Sequence, residues 1–409
     1  MSKKINASYA ACGNSYKKNA FTKKLSFGYG FGKYFLKKKA SAKKCAIIKK
    51  EGNINVKLIR AVWNLTEKRP LRWFSFHPVE SIKHDFRFYI PFKKEKEKEQ
   101  FISFKKYSNS IPIRYISDTK ARLKMVKKQL KNMSKKEELE NYLKSQEKKE
   151  KKLIKFDCII LHFHGGGFVA QTSFSHSPML RIWTKQTGIP VMSVDYTNPP
   201  EVTYPQPFEE CYEAYKWILE NGSLLGLVDS NTPRIILAGD SAGGNLAAAV
   251  CCKILEDGLV PPLGVLLGYP ALNISFDHTL SRALFNCDPF FSYGLLKVCL
   301  QSYNPDSNGF DPKKEIFLSP LFASDQILSQ FPKTVIQAGI MDPLLDDSVL
   351  FANRLKKSFS PVSLRVYSLP HGFWSYLNMI KDAKVPLNDA VQFFKELKKN
   401  FEKDLLKKN

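Results

Sequence analysis

Two glycine-rich segments carry the residues best suited to chemistry: His164-Gly165-Gly166-Gly167-Phe168 and Gly239-Asp240-Ser241-Ala242-Gly243. The second has the Gly-x-Ser-x-Gly pattern of a strained turn between strand and helix, which lifts a serine hydroxyl above a sheet edge. Gly239 and Gly243 flank the serine because the adjoining strand and helix leave no room for a Cβ. In the first segment, Gly165, Gly166 and Gly167 let backbone N–H groups approach a carbonyl oxygen and hold the charge that develops on it during attack. One segment offers a nucleophile and the other an oxyanion hole, and together they point to acyl transfer at Ser241. That chemistry needs no metal and no cofactor, and no His/Cys cluster in the chain has metal-ligand spacing.

A nucleophilic serine needs a base, and the base an orienting acid, which follow the serine in the order acid then histidine when the serine sits on such a turn. Of the seven histidines only His278 and His371 lie beyond Ser241. His371 sits in Pro370-His371-Gly372-Phe373, just past the strand-like stretch Val362 to Leu369, where a base belongs; His278 falls in a segment read as connecting loop or cap, and a solvated role suits it better. For the acid, the apolar run Thr334 to Gly339 ends close to Asp342, with Pro343 fitting the first turn of a helix that would carry Asp346 and Asp347 away. Asp342 could equally cap that helix; its place between serine and histidine favours the catalytic role, with Asp346 the alternative. His164, ahead of the serine and inside the glycine motif, reads as a support for the oxyanion loop, as do Asp240, Gly239 and Gly243 for the turn.

The elements needed to hold these residues are legible around them. Asp157 to Phe163 and Arg234 to Ala238 are short apolar runs ending at the two motifs and read as buried parallel strands. Ala242 to Glu256 is rich in alanine and leucine and closes on Asp257-Gly258, as a helix with a glycine stop does. Asp85 to Ile90 and Ile111 to Ile116 alternate and would be antiparallel first strands, Asn55 to Asn64 could form part of a helix, and Asn273 to Phe317, with Phe276, Phe285, Phe290, Phe291 and Phe310, reads as a cap.

These residues resemble the hormone-sensitive lipase family of α/β-hydrolases. The run from His164 through Gln171-Thr172-Ser173 to Ser175-His176 looks more like the lipase branch than the bacterial esterases or arylacetamide deacetylases, and Ser193-Val194-Asp195-Tyr196, Phe208-Glu209-Glu210-Cys211 and Leu237 to Leu246 continue the likeness, which covers roughly residues 156 to 400. The resemblance implies an α/β fold, with a mostly parallel sheet of about eight strands, helices on both faces and a cap. It also implies Ser241 as nucleophile, Asp342 as acid, His371 as base, and an oxyanion hole from Gly166, Gly167 and Ala242, with Gly165 completing the glycine triplet. The activity implied is hydrolysis of carboxylic esters, most of all acylglycerols, sterol esters or other lipid esters, with broad carboxylesterase or amide deacetylase action on small substrates as the second reading. A non-catalytic receptor on this fold would be expected to have lost a triad member, and this chain keeps all three. Where the family has Tyr-x-Leu-Ala-Pro-Glu the chain has Tyr196-Thr197-Asn198-Pro199-Pro200-Glu201, a change in a supporting loop that leaves the catalytic set intact. At 409 residues there is no room for the large N-terminal domain and regulatory insertion of mammalian members, so phosphorylation control is not carried over.

The charge is unevenly placed. The chain carries +26, yet residues 1–155 hold 42 Lys and Arg against 13 Asp and Glu while residues 156–409 hold 22 against 25. The division expected is a basic extension (1–50), a cap and first strands (51–119), a charged helical or disordered insertion read as a solvated spacer more than a partner-binding helix (120–155), and the catalytic domain (156–409). Residues 1–50 have no acidic side chain and interleave lysines with Phe, Tyr and Leu, which suits a solvated tail or an anionic membrane or lipid-droplet surface; nucleic acid has no recognisable binding module behind it. With no run of about eighteen apolar residues and no secretory signal, and with eight cysteines that form no CxxC pattern, the expectation is a cytoplasmic protein with reduced thiols that meets lipid only peripherally.

Overall fold

In each central strand, successive apolar residues supply opposite faces of one sheet. Ile159, Leu161 and Phe163 pack into one core and Ile160 into the other; Ile235 and Leu237 divide from Ile236 and Ala238 in the same way. The computed structural model describes residues 56–64, 85–92, 109–133, 157–227, 234–284, 291, 293–377 and 380–408. Its strands are β1 (Asp85–Pro91), β2 (Ser110–Ile116), β3 (Ile159–Phe163), β4 (Val191–Val194), β5 (Ile235–Asp240), β6 (Gly264–Gly268), β7 (Thr334–Gly339) and β8 (Val362–Tyr367). They form a single sheet in the order β1-β2-β4-β3-β5-β6-β7-β8. β2 runs antiparallel to both its neighbours, and from β4 to β8 every pairing is parallel.

The longer helices are α1 (Val56–Trp63), α2 (Lys120–Met133), α3 (Ser173–Thr187), α4 (Gln206–Asn221), α5 (Ala242–Glu256), α6 (Tyr293–Tyr303), α7 (Leu345–Lys357) and α8 (Lys384–Lys408). Residues of α4, α5, α6 and α7 build the larger core on one face of the sheet, while Trp183 of α3 and Phe394 of α8 meet on the other face at 5.0 Å between ring centroids. Helices on both faces of a mostly parallel sheet are the expected α/β architecture. α1 and α6 pack against each other, with Trp63 and Phe291 at 6.3 Å, on the side where the cap was expected. Phe276 and Phe310 are partly exposed at its margin; Phe285, Phe290 and the basic residues 1–50 lie outside the described residues.

The first part of the charged insertion is helical, one of the two forms expected, but it is packed against the fold where a solvated spacer was expected. Residues 120–133 are helical, and Val126 and Leu130, four apart, are fully buried, while the Lys127 ammonium lies 5.8 Å from the Phe86 ring centre. This stretch is therefore an amphipathic helix packed on the sheet edge and no solvated spacer; residues 134–155 lie outside the described residues. Cys158, Cys211, Cys251, Cys252 and Cys299 are all buried free thiols, in keeping with reduced cysteines.

Candidate active site

The candidate residues converge because each follows the C-terminal end of a parallel strand, where an α/β sheet opens its crevice. The glycine triplet follows β3, Ser241 follows β5, Asp342 follows β7 and His371 follows β8. β5 lies between β3 and β6, so the nucleophile stands at the middle of the sheet.

Ser241 has φ 54° and ψ −117°, the strained conformation expected of a serine held on a sharp turn. Its N–H donates to the Gly268 carbonyl at 2.8 Å, and its own carbonyl accepts from Asn245 at 3.1 Å and Ala271 at 3.2 Å, so the turn is fixed from both sides. A Cβ on Gly243 would overlap the Phe163 carbonyl oxygen, which is why only glycine fits there. Ser241 Oγ lies 2.9 Å from His371 Nε2, and His371 Nδ1 lies 2.8 Å from Asp342 Oδ2. The second oxygen of Asp342 accepts the Leu344 N–H at 2.8 Å, which sets the carboxylate plane. All three groups are buried, and Phe291 stacks on the His371 ring at 4.5 Å. A hydroxyl on an imidazole on a carboxylate can transfer a proton away from the serine as it attacks.

Asp346, the alternative acid, is elsewhere: its carboxylate takes the Ser281 N–H at 2.7 Å. Asp347 is buried against Arg282 at 3.2 Å and accepts from the N–H groups of Leu272 and Asn273. Burial raises its pKa to about 6 despite that guanidinium. His278 is exposed, away from the triad.

The glycine loop is arranged differently from the expectation in one respect. The Gly165 N–H donates to Asp240 Oδ1 at 3.1 Å and also approaches His176 Nε2 at 3.3 Å, so it is directed under the nucleophile turn and away from any substrate oxygen. Gly165 therefore braces the loop and leaves the candidate hole to Gly166, Gly167 and Ala242. Gly166 has φ +114° and its carbonyl accepts from Val169 at 3.1 Å and Ala170 at 3.0 Å; a Cβ there would strike the Ala170 carbonyl oxygen. Ala242 opens α5, where the first N–H groups have no partner within the helix.

His164 lies against the loop: Nδ1 donates to the Gly165 carbonyl at 2.8 Å, and the ring stacks on Tyr196 at 4.2 Å, whose hydroxyl donates to the His164 carbonyl at 2.7 Å. Beneath the turn, Asp240 gathers His176 Nε2 at 3.1 Å, the Tyr269 hydroxyl at 3.3 Å and His162 Nε2 at 3.8 Å. Burial alone would raise the Asp240 pKa, but His176 and His162 outweigh it and hold the carboxyl well below the usual range. His162 and His164 are pushed down to about 4, chiefly by burial. The brace through His162 and His176 was not foreseen; the only signal in the sequence is three histidines within residues 162–176. Trp63 was also missed: a Cβ on Gly167 would lie 2.5 Å from Cys299 Sγ and 3.1 Å from the Trp63 ring, so that ring closes on the glycine loop. Among the described residues no group of His, Cys, Asp and Glu could hold a metal ion, and no helix is long and apolar enough to cross a membrane.

Known proteins resemble this chain in fold and in sequence. Residues 160–375, more than half of the chain, match a family described as having the alpha/beta hydrolase fold. Over 145 residues, 36% of this chain, it is 43% identical to hormone-sensitive lipase of Homo sapiens, of which the match spans only 13%. It is 28% identical over 240 residues, 58% of this chain, to an esterase of Acinetobacter venetianus, 74% of which is matched. A solved Pyrobaculum calidifontis esterase shares the fold at 22% identity, with a TM-score of 0.65 over 84% of this chain and 94% of that one. On these grounds the chain belongs to the α/β-hydrolase fold family, among the relatives of hormone-sensitive lipase and the esterases.

Proposed function

We propose that this protein hydrolyses carboxylic esters, with lipid esters such as acylglycerols as its substrates, through an acyl-enzyme on Ser241. The observation that carries the reading is the continuous chain from Ser241 Oγ through His371 to Asp342, at 2.9 and 2.8 Å. His371 Nε2 takes the hydroxyl proton as Oγ attacks the carbonyl carbon, and Asp342 holds the imidazole in the tautomer with hydrogen on Nδ1 and balances its charge. The oxyanion that forms accepts hydrogen bonds from the N–H groups of Gly166, Gly167 and Ala242, an electrostatic contribution already aimed before reaction. His371 gives its proton to the departing alcohol. Water, losing a proton to the same nitrogen, then attacks the acyl-enzyme, and collapse of the second tetrahedral intermediate releases the acid and restores the serine.

What borders the serine and its base supports a preference for lipid. Phe291 stacks on His371, Trp63 lies by Phe291, and Trp63 with Cys299 abuts Gly167, so an acyl chain leaving the carbonyl meets an apolar wall. The similarity to a hormone-sensitive lipase supports the same reading. The basic residues 1–50 would draw a cytoplasmic enzyme to an anionic membrane or lipid-droplet surface. The longer match to a bacterial esterase favours a second reading, a broad carboxylesterase of small substrates. A series of p-nitrophenyl esters of increasing acyl length, followed by emulsified diacylglycerol, decides between them. Turnover that holds or rises with chain length and extends to the emulsion supports the lipase reading. Activity confined to acetyl and propionyl esters supports the second, and no ester hydrolysis at all would end both.

A further inference from the structure

Arg60, on α1, has its guanidinium nitrogens engaged on two loops that back the oxyanion glycines. Nε donates to the Val169 carbonyl at 2.6 Å, and one terminal nitrogen donates to the carbonyls of Pro199 at 2.6 Å and Asn198 at 3.2 Å. Glu201 accepts from both terminal nitrogens at 2.7 and 2.6 Å. Just beyond the helix, Asn64 Oδ1 accepts the Gln171 N–H at 2.7 Å. The segment 60–64 therefore holds the glycine loop at two points, Val169 and Gln171.

The consequence reaches the glycines directly. Val169 is bonded on its N–H side to the Gly166 carbonyl and on its carbonyl side to Arg60, so a shift of one moves the other. Gly166 sits at φ +114°, a backbone region open to glycine, so the direction of its peptide is set by the contacts around it. Of the partners on the far side, Asn198 and Pro199 stand where the family has Leu-Ala, and Glu201 matches the family's Glu. Glu201 is more than half exposed, so its ion pair contributes little to stability by itself; the carbonyl contacts are what tie helix to loop.

We infer that Arg60 is a positioning residue for the oxyanion hole: by clamping Val169 to the loop at 198–201 it keeps the Gly166 and Gly167 N–H groups aimed at the developing oxyanion. The inference rests on the acyl-transfer reading above. A staple that only fastens α1 to the body would affect stability or substrate binding, whereas a clamp on the hole must act on the transition state.

The test compares the full chain with Arg60→Ala, Arg60→Lys and Asn64→Ala, measuring kcat and KM on a soluble short-chain ester, inhibition by a trifluoromethyl ketone that forms a tetrahedral adduct, and thermal midpoint. Loss of one oxyanion donor lowers kcat by about 10²- to 10³-fold, so a misaimed pair in Arg60→Ala should lower it by roughly 10- to 100-fold, with KM within about threefold of wild type. Ketone affinity should fall by a similar factor, Arg60→Lys should recover part of the loss, and Asn64→Ala should lose less than Arg60→Ala. A folded Arg60→Ala with unchanged kcat, or with a raised KM alone, overturns the inference. If Arg60→Ala does not fold, Arg60→Lys and Asn64→Ala are judged by the same split. Wild-type turnover separates the two ideas: an inactive wild type defeats the hydrolase reading and this inference with it, while an active wild type matched by its variants defeats the inference alone.

Discussion

Acidification below about pH 6.5 should draw stability from the fold, because two buried histidines beneath the site are held neutral. His162 and His164 have pKa values lowered from 6.5 to about 4, and in both the first cause is burial, which penalises the imidazolium. At these two groups the unfolded chain therefore binds more protons than the native state between pH 6.5 and 4, while Asp347 and Glu210, raised by burial, act in the opposite sense and offset part of the loss. Stability from the two histidines is fully present above pH 6.5 and is lost as pH falls toward 4, by about 3 kcal/mol for each histidine. Two such contributions rival the net stability of a typical domain, about 5–15 kcal/mol. Asp240, with its pKa depressed, keeps its own contribution down to the ordinary carboxylate range and loses it only below that. Urea unfolding at intervals from pH 7.5 to 4.5 reads the slope directly. His164→Phe, which can keep the stack on Tyr196, should remove the share due to His164, about 3 kcal/mol over that fall in pH. A pH dependence between 6.5 and 4.5 that is unchanged in His164→Phe would refute the claim that this imidazole is buried and neutral.

Other expectations concern the chemistry and the surface. His371→Ala and Asp342→Asn should each lower ester turnover by about 10³-fold or more in folded protein, while Asp346→Asn, whose carboxylate caps Ser281, should stay near wild type; the reverse order for the two aspartates in a steady-state assay would reassign the acid. Gly166→Ala, with its Cβ directed at the Ala170 carbonyl oxygen, should cost roughly 3 to 4 kcal/mol in the transition state, read from kcat/KM, and much less in binding of a non-hydrolysable ester analogue. Deleting residues 1–50 should leave a soluble ester untouched but weaken binding to anionic vesicles, and salt should mimic the deletion because each lysine near such a surface contributes about 1 kcal/mol that ions screen. Equal vesicle binding by both proteins at low and high salt would make the basic segment a solvated tail.

What the sequence disclosed, and what it hid, divide by range of interaction. The strands leading to Ser241 and to the glycine triplet and the helix over 242–256 were legible because each is a local pattern: an apolar run, a glycine turn, an alanine-rich stretch with a glycine stop. His371 and Asp342 followed from their order along the chain and their places after strands, and the structure brings both to the serine. The Gly165 N–H was misread because its direction depends on Asp240, 75 residues away, and no local pattern encodes that meeting. Arg60 was invisible for the same reason, its Val169 contact spanning 109 residues. The packing of the helix at 120–133 was hidden because its lysines outnumber the two apolar residues that anchor it, Val126 and Leu130.

The central claim, that Ser241 is acylated during turnover, is most directly tested by intact-mass and peptide mass spectrometry after rapid acid quench of the enzyme with a slowly hydrolysed ester, in parallel with a fluorophosphonate. The account predicts an adduct of the acyl or phosphonyl mass on the peptide containing Gly239-Asp240-Ser241-Ala242-Gly243, absent from Ser241→Ala and suppressed in His371→Ala. An active enzyme that carries no adduct on that peptide, or a folded Ser241→Ala that hydrolyses esters at the wild-type rate, would contradict it.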